Sequence, residues 1–299
     1  MVRLARSGVP SETARMDVAR ARSMWQLLEP IHALTYFDPL SIDALRATGL
    51  RGFWMTYFAG RAAPMGPVGA PIVEATFFNF SPRLVRRAIP DAWRFAPAER
   101  VLEARWAGAA AALEPHVASL AGAAGDRARA LLGTATADLC CDGRMLAAAN
   151  GALEPPDDGL AALWQLVTTL REHRGDGHLA ALICAGLSGL EAHLTLVGTG
   201  TIPREVLQSA RGFDDAEWGA GQHRLVERGL LGDDGTLTDE GAALRREVEG
   251  ATDRAALEPW ARLGDAGCDE LAGLLSPVSR AIAGAGVVPV LNPMGLPIR

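Results

Sequence analysis

The stretch that most constrains this chain is residues 187–246, where helix starts, helix stops and one tight turn follow each other in a fixed order. A helix over about 188–197 ends at the Gly198–Thr201 break. Thr201 and Pro203 suit the first turn of the next helix, 203–210, and Gly212 is placed to close it. Asp214 is an N-cap for a third helix, with Glu217 three residues on to complete a capping box. Leu225, Val226, Leu230 and Leu231 supply its buried side. Asp234-Gly235 signals a hairpin between Leu230-Leu231 and Thr236-Leu237. Thr238 then caps an exit helix over about 239–256. Helix, helix, helix, hairpin, helix is the order of a winged helix-turn-helix.

The rest of the 299 residues reads as helix too. Alanine and glycine abound, aromatics make up 6%, and strand formers never cluster for long. With 49% hydrophobic and 21% charged residues, the composition is that of a soluble globular protein able to bury one large core or two ordinary ones. The expected fold class is mainly α, with the winged helix in the C-terminal half. Residues 159–173 carry apolar side chains at helical spacing, and Arg174-Gly175-Asp176-Gly177 reads as a turn before a second helix, 178–185, which Gly186 ends. Upstream, 107–150 is Ala-rich and helical, with a loop over 151–158. The tail offers one or two helices around 271–275 and 279–285, then a Pro-rich extended strap whose apolar residues suit docking on the body.

The first half echoes the second. Trp25-Gln26-Leu27-Leu28 matches Trp164-Gln165-Leu166-Val167, and Gly49-Leu50-Arg51-Gly52 matches Gly186-Leu187-Ser188-Gly189 at nearly the same spacing. Phe80-Ser81-Pro82 aligns less well with Phe213-Asp214-Asp215. A degenerate tandem duplication of winged-helix halves explains these echoes; chance repetition in an Ala/Leu/Gly-rich chain is the alternative. The domain organisation expected is an N-terminal helical half over 1–150, a winged-helix half over 151–256, and a helical tail with its strap over 257–299. A cleft between two such halves is the natural pocket.

Several function classes drop out. Lysine is absent, all 29 basic residues being arginine, which removes Schiff-base and P-loop lysine chemistry. There is no GxSxG elbow, no GxGxxG after a strand and no EF-hand loop. Cys140, Cys141, Cys184 and Cys268 match no zinc spacing and imply no disulfide framework, so no metal site is expected. No cofactor is named by the residues, although a His-ligated haem stays open. The N-terminal 25 residues read as a charged, loose lead-in without a secretory core, with Met16 as an alternative start. No apolar run approaches the roughly 20 residues needed to span a bilayer. A cytoplasmic protein without a membrane partner is the expectation.

The runs EPIHALTYF (29–37), GLRGFWMTYFAGRAAPMGPV (49–68), EATFFNF (74–80), IPDAW (89–93), LREHRGDGH (170–178) and NPMGLP (292–297) occur together. In these the chain resembles, over nearly its whole length, an actinobacterial family of helix-turn-helix proteins of unassigned function. The resemblance implies a mainly helical protein with a MarR-like winged helix, and it carries no catalytic or ligand-binding residues.

The helix that should read DNA is acidic. Asp214, Asp215 and Glu217 crowd its first turn, and the wing tip is Asp233-Asp234-Gly235, where phosphate binding calls for arginine or lysine. The net charge of −6 gives no basic footprint either. Arg224 on that helix, and Arg83, Arg86 and Arg87 upstream, are the candidate DNA contacts, set against a solvated basic helix face. DNA is therefore the weaker partner.

The densest polar set is Arg171 to His178, where glycines flanking Asp176 suggest a close turn. His173, Arg174, Asp176 and His178 there suit anion binding or acid–base work, against the bland alternative of a self-satisfied interhelical turn. His32 lies four residues before Tyr36, and Tyr57 four before Arg61; His193 sits on the helix opening the winged helix, where a hydrogen-bonded core histidine is the common case. His32, Tyr57, Arg61, His173, Arg174 and His178 are the set expected to line the inter-half cleft, with Asp176 and His193 completing the candidate ligand site. The leading expectation is a winged-helix protein binding a small molecule, as a regulator. The alternatives are an enzyme or ligand carrier built on the same scaffold without DNA binding, and an interaction protein whose acidic helix meets a basic partner. A homodimer is compatible with all three.

Overall fold

The structure, a computed structural model, describes residues 12–295. The expected lead-in over 1–11 and the end of the strap, 296–299, lie outside the described residues. The rest of the lead-in is not loose, because the first helix begins at Glu12.

Fifteen α-helices follow: α1 Glu12–Phe37, α2 Pro39–Ala47, α3 Gly52–Ala62, α4 Ala70–Phe77, α5 Pro82–Arg86, α6 Ala92–Phe95, α7 Ala98–Leu113 and α8 Ala123–Thr136 come first. Then come α9 Met145–Gly151, α10 Gly159–Cys184, α11 Gly189–Val197, α12 Arg204–Arg211, α13 Asp215–Glu227, α14 Asp239–Ala255 and α15 Glu258–Gly284. Among the described residues there is no β-strand, only one antiparallel bridge between Leu231 and Leu237.

Two long core helices, α1 and α10, have 26 residues each and pack on each other. Around them α7, α8 and α15 complete a central core that buries Leu28, Ile31, Leu34, Trp164, Val167 and Leu271. The packing crosses between halves: α1 lies on α14 and α15, and α10 lies on α7 and α8. A second core joins α3 to α7 around Phe58, Phe77 and Ile89, and a third joins α11 to α14 around Leu207, Trp218 and Leu225.

The caps expected for the helix-turn-helix are present. Asp214 and Glu217 form a capping box on α13, and beyond those expected Ser188 and Glu191 form another on α11. Gly212 ends α12 in the left-handed conformation, and Thr238 caps α14. The hairpin is reduced to one bridge, Leu231 with Leu237: Gly232 N–H donates to the Thr236 carbonyl and Thr238 N–H to the Leu230 carbonyl, while Leu237 N–H turns outward to the carbonyl of Gly198. Gly229 ends α13 and Thr238 opens α14, so little chain is left between them to pair.

One expectation is corrected outright. The Arg-Gly-Asp-Gly turn does not exist, since α10 runs unbroken through 174–177. Gly177 serves helix packing: a Cβ there would sit 2.8 Å from Arg144 Nη1 and 3.1 Å from Ala255 Cβ. Its absence lets Arg144 cross α10 and donate to the carbonyls of His173 and Ala255. Of the one or two helices expected around 271–275 and 279–285 there is one, α15, kinked at Gly264, where φ is 71°. The strap does dock where it is described, with Pro293 accepting a hydrogen bond from Arg211 Nη2 at 2.6 Å.

Candidate functional site

Between the second and third cores lies a cavity of about 690 Å³, open to solvent on one side. Its walls come from α1, α3, α10, α11, α14 and the strap. One wall is aromatic. Trp54 and Tyr57 on α3 stand against Phe80, with ring centroids 6.1 and 5.4 Å away, and Phe53 adjoins both. The loop carrying Phe80 is seated by a glycine. A Cβ on Gly189 would lie 2.0 Å from the Phe78 carbonyl oxygen, so only glycine lets the start of α11 meet this loop.

The lining is also rich in arginine, and most of that charge is neutralised internally. Glu172 is 1% exposed; it accepts from Arg61 Nε at 3.1 Å and Nη2 at 3.0 Å, and from Arg171 at 2.9 Å. Those cations hold the Glu172 carboxyl far below the ordinary carboxylate range against the upward push of burial. Arg171 also bonds Glu29 at 3.2 Å. Deeper along α10, Arg174 stacks on Trp25 at 4.2 Å and pairs with Asp253 at 3.0 Å, and Arg22 joins Asp253 and Glu249 at 2.7 and 2.8 Å.

Two cavity arginines stand outside this matched set. Arg211, 9% exposed, lies 4.5 Å over the Phe80 ring and donates to the Pro293 carbonyl, while its buried Nε has no hydrogen-bond partner. Burial lowers its pKa, with the Tyr57 hydroxyl pulling the other way. Arg245 donates to Thr195 Oγ1 at 3.1 Å; burial lowers its pKa too, against the nearby Glu249 charge that Arg22 already holds. Neither has a carboxylate in salt-bridge range among the described residues.

The sequence candidates divide. Tyr57, Arg61, Arg174, Asp176, His178 and His193 all line the cavity. His32 does not. It is buried behind Tyr36, with Nε2 2.9 Å from the Tyr36 hydroxyl, Nδ1 3.0 Å from Thr168, and its ring stacked on Trp164. His173 faces away from the cavity, toward Trp25, Ala256 and Trp260. Both its ring nitrogens are buried without a hydrogen bond, Glu258 is 3.8 Å off, and burial lowers its pKa to about 4. The expected gathering of His173 with Asp176 and His178 fails: Asp176 and His178 line the cavity, whereas His173 is packed among Trp25, Ala256 and Trp260.

What remains is chemically specific. Thr252 gives its hydroxyl proton to the Val248 carbonyl, so it accepts from His178, which therefore carries its proton on Nδ1. His193 Nε2 donates to the Asn79 carbonyl at 2.9 Å. Burial, first in both cases, brings His178 to about 4 and His193 to about 3, so both imidazoles are neutral near pH 7. Asp176 accepts from the Ala147 backbone at 2.9 Å, yet burial raises its pKa to about 6. The Asn79 side-chain oxygen is buried without a partner at the same cavity.

The cavity residues missed from sequence look ordinary there. Arg245 and Glu249 read as a surface i, i+4 pair, and Arg211 as a solvated arginine in a helix's last turn. Trp54, Phe53 and Phe80 read as core.

The proposed DNA contacts are mostly engaged within the chain. Arg83 donates to Asp214 at 3.0 Å and to the Gly212 carbonyl at 2.9 Å, Arg86 grips Glu74 at 2.6 Å, and Arg224 bonds Glu191 at 3.0 Å. Arg87 is exposed, with no ion pair among the described residues. Among those residues no group of His, Cys, Asp and Glu could hold a metal ion, and no single helix is long and apolar enough to cross a membrane. No curated protein and no solved structure matches the chain. A family model described as a helix-turn-helix family matches residues 21–289, nearly the whole length, and by that match the chain belongs to this helix-turn-helix family.

Proposed function

We propose that this helix-turn-helix protein binds a small organic molecule in the cavity between its two halves, acting as a ligand-responsive regulator. The observation that carries the reading is the cavity itself. Its volume of about 690 Å³ lies within the 300–1,000 Å³ usual for small-molecule sites, and its lining combines an aromatic wall with buried polar groups. A regulator follows from the layout, because α11 and α14 contribute both to the cavity and to the helix-turn-helix core. A ligand touching α3 and α11 together would bias how the halves sit. Membership of the family makes DNA a plausible partner; a MarR-like mode of docking would use α13 with its short wing. The tandem-duplication reading fits the paired 26-residue helices and their crossed packing.

Native mass spectrometry of the purified protein, with a thermal-shift screen of small organic molecules, tests the reading. Wild type should carry or gain a ligand, and Ala192→Leu, which fills the cavity wall, should abolish binding without lowering Tm. If the filled variant binds as wild type does, the cavity is not the site.

A second reading, an enzyme on the same scaffold, rests on Asp176. A carboxyl held at about 6 inside a cavity can give or take a proton near neutrality, as general acid–base catalysis requires. Turnover of a bound ligand lost in Asp176→Asn, with binding kept, would favour it over the regulator.

A further inference from the structure

The charges of the cavity do not cancel, and the remainder lies on one side. Arg22, Arg61, Arg171 and Arg174 each contact Glu29, Glu172, Glu249 or Asp253. Asp176, the other cavity carboxyl, is on the α9 side, held by the Ala147 backbone. Among the described residues Arg211 and Arg245 face the cavity with only neutral acceptors, the Pro293 carbonyl and the Tyr57 and Thr195 hydroxyls. Both line the same cavity and flank α11: Arg245 bonds Thr195, while Arg211 lies over Phe80, next to the Asn79 whose carbonyl accepts from His193. His178 and His193 between them are neutral imidazoles and add no compensating anion.

We infer that the cavity takes an organic carboxylate with an apolar, ring-sized body, its carboxylate held by Arg211 and Arg245 and its body lying on Trp54, Tyr57 and Phe80. The inference rests on the small-molecule reading above and names the ligand class for that same site. The physical case is that a guanidinium removed from water without an anion is costly, and the stacking of Arg211 on Phe80 repays only part. A carboxylate supplies what both arginines lack, through short charge-assisted hydrogen bonds for which guanidinium geometry is suited. Arg211 Nε, buried and unpartnered, is the donor that such a ligand would engage while Nη2 keeps the strap carbonyl. The aromatic wall meets a planar body by stacking, and Met294 of the docked strap borders the same space.

The test compares 2-naphthoate with 2-naphthamide, which keep one shape and differ in charge, by calorimetric titration of the full chain at pH 7.5. The carboxylate should bind at least about 10-fold more tightly than the amide, the size expected for a charged hydrogen bond. Arg245→Met should weaken the carboxylate by a similar factor and leave the amide unchanged. Arg211→Met should do the same, and Arg211→Lys should restore part of the loss; thermal melts identify any variant that has merely unfolded, in which case Arg245→Met decides. Equal affinity for both probes, or equal loss of both in Arg245→Met, overturns the carboxylate assignment and leaves the small-molecule reading standing. Binding of neither probe, with cavity-filling Ala192→Leu also without effect in the wider screen, overturns both.

Discussion

Removing one partner of a buried ion pair strands the other charge away from water, so Glu172→Gln should be among the most damaging single changes in this chain. It would leave Arg61 and part of Arg171 unmatched, and the loss expected is about 3–5 kcal/mol by chemical denaturation. Asp176 acts in the opposite sense. Its pKa is raised from 3.8 to about 6 by burial, so its protonated form favours the fold. That contribution is complete below about pH 4 and is lost as pH rises through 6, amounting to about 3 kcal/mol in order of magnitude. Asp176→Asn keeps an acceptor for the Ala147 amide and should therefore raise Tm over wild type at pH 8 but not at pH 4. Comparing variant with wild type cancels the histidines, whose lowered pKa values make stability fall as pH drops through about 4. An unchanged Tm difference between the two pH values would refute the Asp176 assignment.

At the scale of elements, caps and stops were legible in the sequence, because a cap is a contact between near neighbours. Gly212, Asp214 and Thr238 all act where their local pattern places them. The glycines of 174–177 misled for the converse reason. Glycine is written the same way whether it allows a turn or lets two helices meet, and only the distant Arg144 and Ala255 distinguish the cases. The histidine pair failed with it, since reading a turn at 174–177 gathers side chains that a helix points apart. Arg211 and Arg245 were unreadable because burial of an arginine is decided by packing across the halves. The unbroken α10 makes a paired prediction. Gly175→Ala should stabilise by about 0.5–1 kcal/mol, since its Cβ would meet only ordinary contacts at 3.4 and 3.6 Å. Gly177→Ala should destabilise by about 1–2 kcal/mol, because it displaces Arg144 from two carbonyls and crowds Ala255. Thermal melts decide, and a turn at 174–177 would make Gly175→Ala the harmful change.

For the whole molecule, the question is whether a chain of this family can present α13 to a DNA groove while its halves are closed on each other. The N-terminal turn of a recognition helix must approach bases unencumbered. Here it is occupied: Arg83 of α5 holds Asp214 and the Gly212 carbonyl, Ser81 donates its backbone amide to the Arg211 carbonyl at 2.9 Å, and Leu84 fills the space beside Gly212. The exposed ion pairs are individually weak, on the order of 0–1 kcal/mol, but the turn is also packed. Phosphate binding cannot displace it cheaply, because the acids thereby released would themselves repel DNA. The expected outcome is no retention of a duplex covering the gene's own upstream region at about 50 mM salt, where phosphate contacts are strong. Retention that weakens linearly in log salt would show instead that α13 is freed, or that the exposed Arg87 reaches the backbone. If such retention appeared only with a cavity ligand present, the ligand would be the agent that frees α13, because Arg211 bonds the strap at one end and carries the α12–α13 turn at the other.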